Sequence, residues 1–388
     1  MLHGLDFNNN IKISDRCTAK TQWSKLELIN KLDKREIELM KKMMEAFGPS
    51  GFERKINELV KEEVESFTDE ILSDKLGTVA FTLEGDGPKV LLAGHTDEVG
   101  FIISSITDNG YLTFNPLGGW WDQVLLAQKV VVRGKKGDLV GIIASKPPHI
   151  LPMDERKKMV EKKDMFIDIG ASTKKEVEEA GIRIGDPVVP WSPFSVIRDG
   201  KIAMGKAFDD RIGTFVIMEA MRRFKEQGIT HPNKIIGAAT VQEEVGLRGA
   251  QTIAQTVNPD VSIVLEVDIA GDVPGIKPHE AATKMGEGPG LITYDRSMIP
   301  NQPFKEFVID TAKQAQIPLQ LSQMSGGGTD AGRIHVNASG CPTVVLTVPT
   351  RHIHSHVGLL SLKDAENAIR LLVELLKKLD WETVNSFT

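Results

Sequence analysis

Cysteine is nearly absent from the chain, with two in 388 residues, Cys17 and Cys341. Two thiols so far apart in sequence build neither a disulfide framework nor a thiolate zinc site, and a reducing cytoplasm is the expected setting. Long apolar runs are missing as well. None approaches the roughly 20 residues that span a bilayer, and the N-terminus lacks the apolar core of a signal peptide, so no membrane partner is expected. There is no basic excess: 47 Lys and Arg stand against 53 Asp and Glu, for a net charge of -6. Without a basic block or stripe, nucleic acid is not an expected partner.

What is present is ordinary for a globular protein, with 41% apolar and 26% charged residues. The length exceeds one usual core, so two domains, or one large α/β domain with an insertion, are expected. Residues 1–33, rich in Asn, Lys and Ser, read as a poorly ordered leader. Helical spacing begins with Ile37, Met40, Met43, Met44 and Phe47 and stops at the Gly-Pro-Ser-Gly turn at 48–51. A second helix carries Ile56, Leu59, Val60 and Val64. Four short apolar runs, at 90–93, 235–241, 261–267 and 343–348, read as strands buried on both faces. Helical segments at 212–224 and 304–315 separate them, and that alternation predicts an α/β fold with a mainly parallel sheet sandwiched by helices. Between 102 and 196 the rhythm changes to short β-like runs separated by Gly, Pro and Asp, which reads as a β-rich insertion. The chain ends in an amphipathic helix capped by Ser361.

In open α/β sheets, ligands bind outside the carboxyl ends of the strands. The polar residues that follow the apolar runs are therefore the candidate site. They are His95-Thr96-Asp97, Gln242-Glu243-Glu244, Asp268, and the stretch Thr350 to His354. Imidazole and carboxylate donors without thiolate suit Zn²⁺, Co²⁺ or Mn²⁺. Each element also has a plain reading. A single histidine is more often hydrogen-bonded than ligating, yet Asp97 lies two residues beyond His95 on an extended chain and can fix its ring. Glu243-Glu244 could be a solvated pair; on an extended chain the two point in opposite directions, one towards a metal and one towards a water. Asp209-Asp210 precedes a helix and could be a cap, with Asp210 at the helix start and Asp209 held towards the strand ends. Asp268 and Asp272 could both be turn formers, and position favours Asp268. Ser325 to Gly332 lacks the ending of a phosphate loop and reads as a cleft-lining loop or a plain turn. Trp120-Trp121 reads as insertion core or as an interface.

With these residues assembled, the sequence resembles the glutamyl and deblocking aminopeptidases, a family of two-metal peptidases of the tetrahedral type. The resemblance covers about 37–380. It rests on Gly94 to Gly100 (GHTDEVG), Ala207 to Arg211 (AFDDR), Gln242 to Gly246 (QEEVG), Val267-Asp268 and Ile353-His354-Ser355, in that order. It implies a zinc-peptidase-like catalytic domain over 34–101 and 197–388, and a small β-barrel oligomerisation domain inserted at 102–196. It further implies that His95 and Asp268 hold one divalent metal, Glu244 and His354 a second, and Asp209 bridges both, with Glu243 as base and Asp97 behind His95. The implied substrates are short peptides with a free N-terminus, and the implied assembly is a homo-oligomer, often a dodecamer. A metal-dependent deacylase or carboxypeptidase on the same fold is the competing function, and a glycosidase using Glu243 and Glu244 is a more distant one.

Overall fold

The computed structural model describes residues 31–388. Most of the expected leader, and Cys17 with it, lies outside the described residues. Two helices open the fold, α1 (Lys34–Glu45) and α2 (Arg54–Val64). Asp33 starts α1 with a capping box, its side chain accepting from Glu36 N while Glu36 reaches back. Strands β1 (Glu70–Ser73), β2 (Val79–Leu83) and β3 (Lys89–His95) follow. Then come β4 (Gly100–Ile106), β5 (Leu112–Leu117), β6 (Lys129–Gly134), β7 (Gly137–Ala144), β8 (Phe166–Asp168) and β9 (Pro187–Pro190). These six close into a barrel in the order β4-β5-β8-β7-β6-β9. The chain then returns through β10 (Ser195–Ile197), β11 (Ile202–Gly205) and a long helix, α3 (Phe208–Gln227). After it run β12 (Lys234–Thr240), α4 (Arg248–Val257), β13 (Val261–Ile269), β14 (Gly290–Asp295), α5 (Gln302–Gln314) and β15 (Gln320–Met324). The last large elements are β16 (Thr343–Arg351), β17 (Gly358–Ser361) and α6 (Leu362–Leu376).

The four apolar runs are the centre of an 11-stranded sheet, where β12, β3, β13 and β16 lie side by side and parallel. Antiparallel strands flank them, β2 and β1 beyond β12, and β17, β11 and β10 beyond β16, so the complete sheet is mixed. Strand alternation divides the runs between two cores. Val90, Leu92, Ile263, Leu265, Val344 and Leu346 face a cluster shared with α3 and α6, whereas Leu91, Ala93, Val264 and Val345 face one shared with α4. Both faces are covered, which is why these strands read as unbroken apolar runs. The barrel has its own core, including Phe101, Ile103, Val130, Val132, Ile167 and Val188. Its strands run from Gly100 to Pro190, inside the expected 102–196 at the far end. Ser195–Ile197 already pairs with β11 in the large sheet, a three-residue strand too short to show a period.

Candidate metal centre and active site

Parallel strands end together, so their carboxyl ends deliver polar side chains to one edge. His95 is the last residue of β3 and is buried, and its register partner on β12 is Thr240, after which Glu243 and Glu244 follow. Asp209 and Asp210, joined by a cis peptide, stand at the start of α3 with non-helical backbone angles. His354 follows β16. The carboxylate of Asp209 lies between the two imidazoles, with Oδ1 3.1 Å from His95 Nε2 and Oδ2 3.3 Å from His354 Nε2. Around His95 Nε2 stand Glu266 Oε1 at 3.8 Å and Glu243 Oε2 at 3.9 Å. Glu244 Oε1 is 3.8 Å from His354 Nε2.

The ring orientations are fixed from behind. His95 Nδ1 donates to the backbone carbonyl of Asp97 at 3.0 Å, and His354 Nδ1 donates to the carbonyl of Gly119 at 2.7 Å. A carbonyl only accepts, so each ring turns its Nε2 towards Asp209. The group of Asp97 that bonds the His95 ring is its main-chain carbonyl, not its carboxylate. The carboxylate accepts instead from Ser50 Oγ at 2.7 Å, Glu243 N at 3.0 Å and Glu244 N at 3.2 Å. The Glu243-Glu244 pair is therefore not on an extended strand. Gln242 has a left-handed φ of 55°, its N–H donates to Glu53 at 3.1 Å, and the Glu243 carbonyl accepts from Gly246 and Leu247. A turn, rather than strand alternation, sends Glu243 towards His95 and Glu244 towards His354.

Asp268 is a correction. Val264 pairs with Ala93, so two residues further along both strands Glu266 comes level with His95, whereas Asp268 pairs with Pro349 of β16. The Asp268 carboxylate accepts from Thr283 at 3.2 Å, and it is absent from the groups that could share an ion among the described residues. Those groups are His95-Asp209-Glu244 and His95-Asp210-Glu266. Asp210 braces the backbone, one oxygen accepting from His95 N at 3.2 Å and the other from Gly213 N at 3.1 Å. Glu266 was hidden inside an apolar run. Its signal was the run itself, because a carboxylate in a strand buried on both faces needs a compensating partner.

The charge pattern fits a cation. Burial raises Glu244 to about 8, and raises Glu243 and Glu266 well above the usual carboxylate range, with neighbouring carboxylates adding to the effect. Burial acts to lower the two histidines, but Asp209 and the surrounding glutamates outweigh it and lift His354 to about 10 and His95 well above its ordinary value. Burial also acts to raise Asp209, and its bonds to His354 and His95 reverse that and hold it low. The cluster draws in positive charge. Glu244 Oε1 is buried with no hydrogen-bond partner, a polar atom that a bound cation would satisfy. Imidazole and carboxylate donors around shared space suit a divalent ion of the Zn²⁺, Co²⁺ or Mn²⁺ kind.

The other histidines of the motif stand apart. His356 is buried against Trp120 with neither ring nitrogen bonded, and burial pushes it down to about 4. His352 is exposed. The cluster lines a cavity of about 280 Å³ together with Leu247, Val267, Met324, Ile353 and the main chain of Gly327 and Gly328, so the Ser325–Gly332 loop does border the cleft. A larger cavity, about 790 Å³, lies between α1, α3 and α6, but its lining is mostly charged, with ion pairs such as Arg223–Glu366, and it holds no histidine.

Residues 77–371 match the family described as M42 glutamyl aminopeptidase. The chain belongs to that family. Among relatives of this M42 chain, the lysyl aminopeptidase of Pyrococcus furiosus is 35% identical over 88% of the chain and 97% of its own length. A TET aminopeptidase from the marine sediment archaeon Thaumarchaeota archaeon SCGC AB-539-E09 is 73% identical, with a TM-score of 0.91 over 91% of this chain and 99% of that one. Pyrococcus horikoshii TET1, a peptidase that can assemble into a tetrahedron or a large octahedral shell, is 32% identical with a TM-score of 0.78, over 89% of this chain and 100% of its own. The M42 chain is an aminopeptidase, a hydrolase of peptide bonds, with a His, Asp and Glu centre for divalent metal. No helix among its described residues is long and apolar enough to cross a membrane.

Proposed function

We propose that this M42 enzyme removes the N-terminal residue of short peptides with two divalent ions, one held by His95, Asp209 and Glu266, the other by His354, Asp209 and Glu244. The observation that carries this reading is the Asp209 carboxylate, which offers one oxygen to each of two imidazoles whose Nε2 atoms face it. Divalent ions held by these residues would supply Lewis-acid chemistry to the scissile carbonyl and to an attacking water. Glu243, on the His95 side of the cleft, accepts the proton of that water and returns it to the leaving amine. The excess of carboxylates favours a substrate ammonium over a substrate carboxylate at this edge. Zn²⁺ or Co²⁺ is the expected metal, with Mn²⁺ compatible.

Outside the cluster the cleft is lined by Leu247, Val267, Met324 and Ile353, with no cationic side chain, so an uncharged N-terminal residue fits best. Assembly into a homo-oligomer is supported by the apolar side chains the barrel exposes, Trp121, Ile150, Met153 and Ile184 among them, and a dodecamer, the form recorded for a Pyrococcus horikoshii TET1 peptidase, is the assembly proposed. A cytoplasmic setting is in keeping with Cys341, which is free and buried. The deciding assay compares leucyl, lysyl and glutamyl peptides with N-acetyl-leucyl peptides. Turnover should be fastest for leucyl, at least tenfold slower for the acetylated form, and lost on chelation. Hydrolysis of the acetylated peptide in preference to the free amine turns the assignment to a deacylase.

A further inference from the structure

We propose that Gly118-Gly119 of the barrel is the positioning element for the half of the metal centre made by Glu244 and His354, so that the barrel completes the site as well as serving assembly. The inference rests on the two-ion reading above. The two halves are supported differently. His95 is held by its own loop through Asp97, and its side chain is 2% exposed; His354 has a left-handed φ of 53° and a side chain 38% exposed. What fixes the His354 ring is the Gly119 carbonyl, which accepts from Nδ1 at 2.7 Å across 235 residues of sequence.

Space confirms the fit on this side alone. A Cβ on Gly119 would meet His354 Nδ1 at 3.1 Å and Cε1 at 3.5 Å, with nothing else within 4 Å. A Cβ on Gly118, whose φ of 82° already favours glycine, would meet Glu244 Oε2 at 2.9 Å and Val99 Cγ1 at 2.7 Å. Neither His95 nor Glu266 is among the nearest atoms that either Cβ would meet. The segment is anchored immediately afterwards. Trp120 stacks on Phe101 with ring centroids 4.8 Å apart, its Nε1 donates to Gly100 O at 3.1 Å, and Lys162 Nζ donates to Trp120 O at 2.9 Å. The barrel core is thereby connected to a histidine at the end of β16. A partner that orients a ligating histidine typically accounts for 10–100-fold in metal affinity.

The test is metal titration of the full chain after removal of bound metal, with Co²⁺ followed by visible absorption and Zn²⁺ followed by calorimetry. Gly119→Ala is the mild variant, because Gly119 does not use the left-handed region and its new methyl touches only the His354 ring. One of the two binding steps should weaken about 10–100-fold while the other stays within about twofold. Trp120→Phe removes the anchoring N–H without adding atoms and should weaken the same step by a smaller factor. In the double variant Gly119→Ala with His354→Ala, the affected step should lose no more than with His354→Ala alone. Val140→Ala, on the outer face of the barrel, should leave both steps unchanged. Two wild-type binding steps that persist unaltered in Gly119→Ala overturn the inference, as does equal weakening of both steps. A wild-type chain that takes up fewer than two ions overturns the two-ion reading, and the inference with it.

Discussion

Glu266 and Asp268 stand two residues apart on β13, yet only Glu266 comes level with His95. The difference is one strand repeat, about 7 Å along the strand, which is more than any carboxylate can span. Glu266→Gln should therefore lower bound metal by about one ion per chain and activity by about 10²-fold or more. Asp268→Asn should keep full metal content and near-normal turnover, losing about 1 kcal/mol of stability through its altered bond to Thr283. Elemental analysis of the two purified variants is the measurement. Normal metal in Glu266→Gln together with depletion in Asp268→Asn would restore Asp268 as the ligand and show that Glu266 does not come level with His95.

At the scale of elements, the decisive piece is the turn after β12. Two carboxylates support it from outside, Asp97 binding the N–H groups of Glu243 and Glu244 and Glu53 binding that of Gln242. The turn gives neighbouring glutamates different jobs, so their isosteric amides should fail differently. Glu243→Gln should retain both ions and near-normal KM while kcat falls about 10²–10⁴-fold, as expected for loss of a proton carrier. Glu244→Gln should lose the more weakly bound ion first and recover part of its rate with added metal. If Glu243→Gln loses metal and Glu244→Gln keeps it but is inactive, the two roles are exchanged. Much of this edge was legible in the sequence, because buried parallel strands produce apolar runs that end where the ligands begin: His95, Glu243 and Glu244 follow their runs directly. Glu266 was obscured by the same signal, being enclosed within a run. The turn depends on Gln242 adopting a left-handed backbone and on Glu53 arriving from α2, and the Gly119 carbonyl reaches His354 from another domain. Contacts of that range leave no local period to read.

For the whole molecule, the question is what covers the outside of the barrel. Trp121 is 60% exposed, Ile150 66%, Met153 71% and Ile184 65%, on a domain of short strands with a modest core of its own. Burying one such side chain against a partner contributes about 1.5–3 kcal/mol, and closed symmetry repeats the gain at every equivalent contact. The proposed assembly follows from that arithmetic, and light scattering at micromolar concentration should give a mass many times that of the chain. Replacing Ile150 and Met153 together by Glu should shift the population to dimers or monomers, since each carboxylate would have to be desolvated at every copy of the interface. Both ions should remain bound in this variant, because neither side chain lines the cavity of the metal centre. Its rate on dipeptides should stay within about twofold, whereas a long unstructured peptide excluded by the closed assembly should now be trimmed. A wild-type chain that runs as a sharp monomer removes the assembly, and with it any limit on peptide length set by entry into an enclosed chamber.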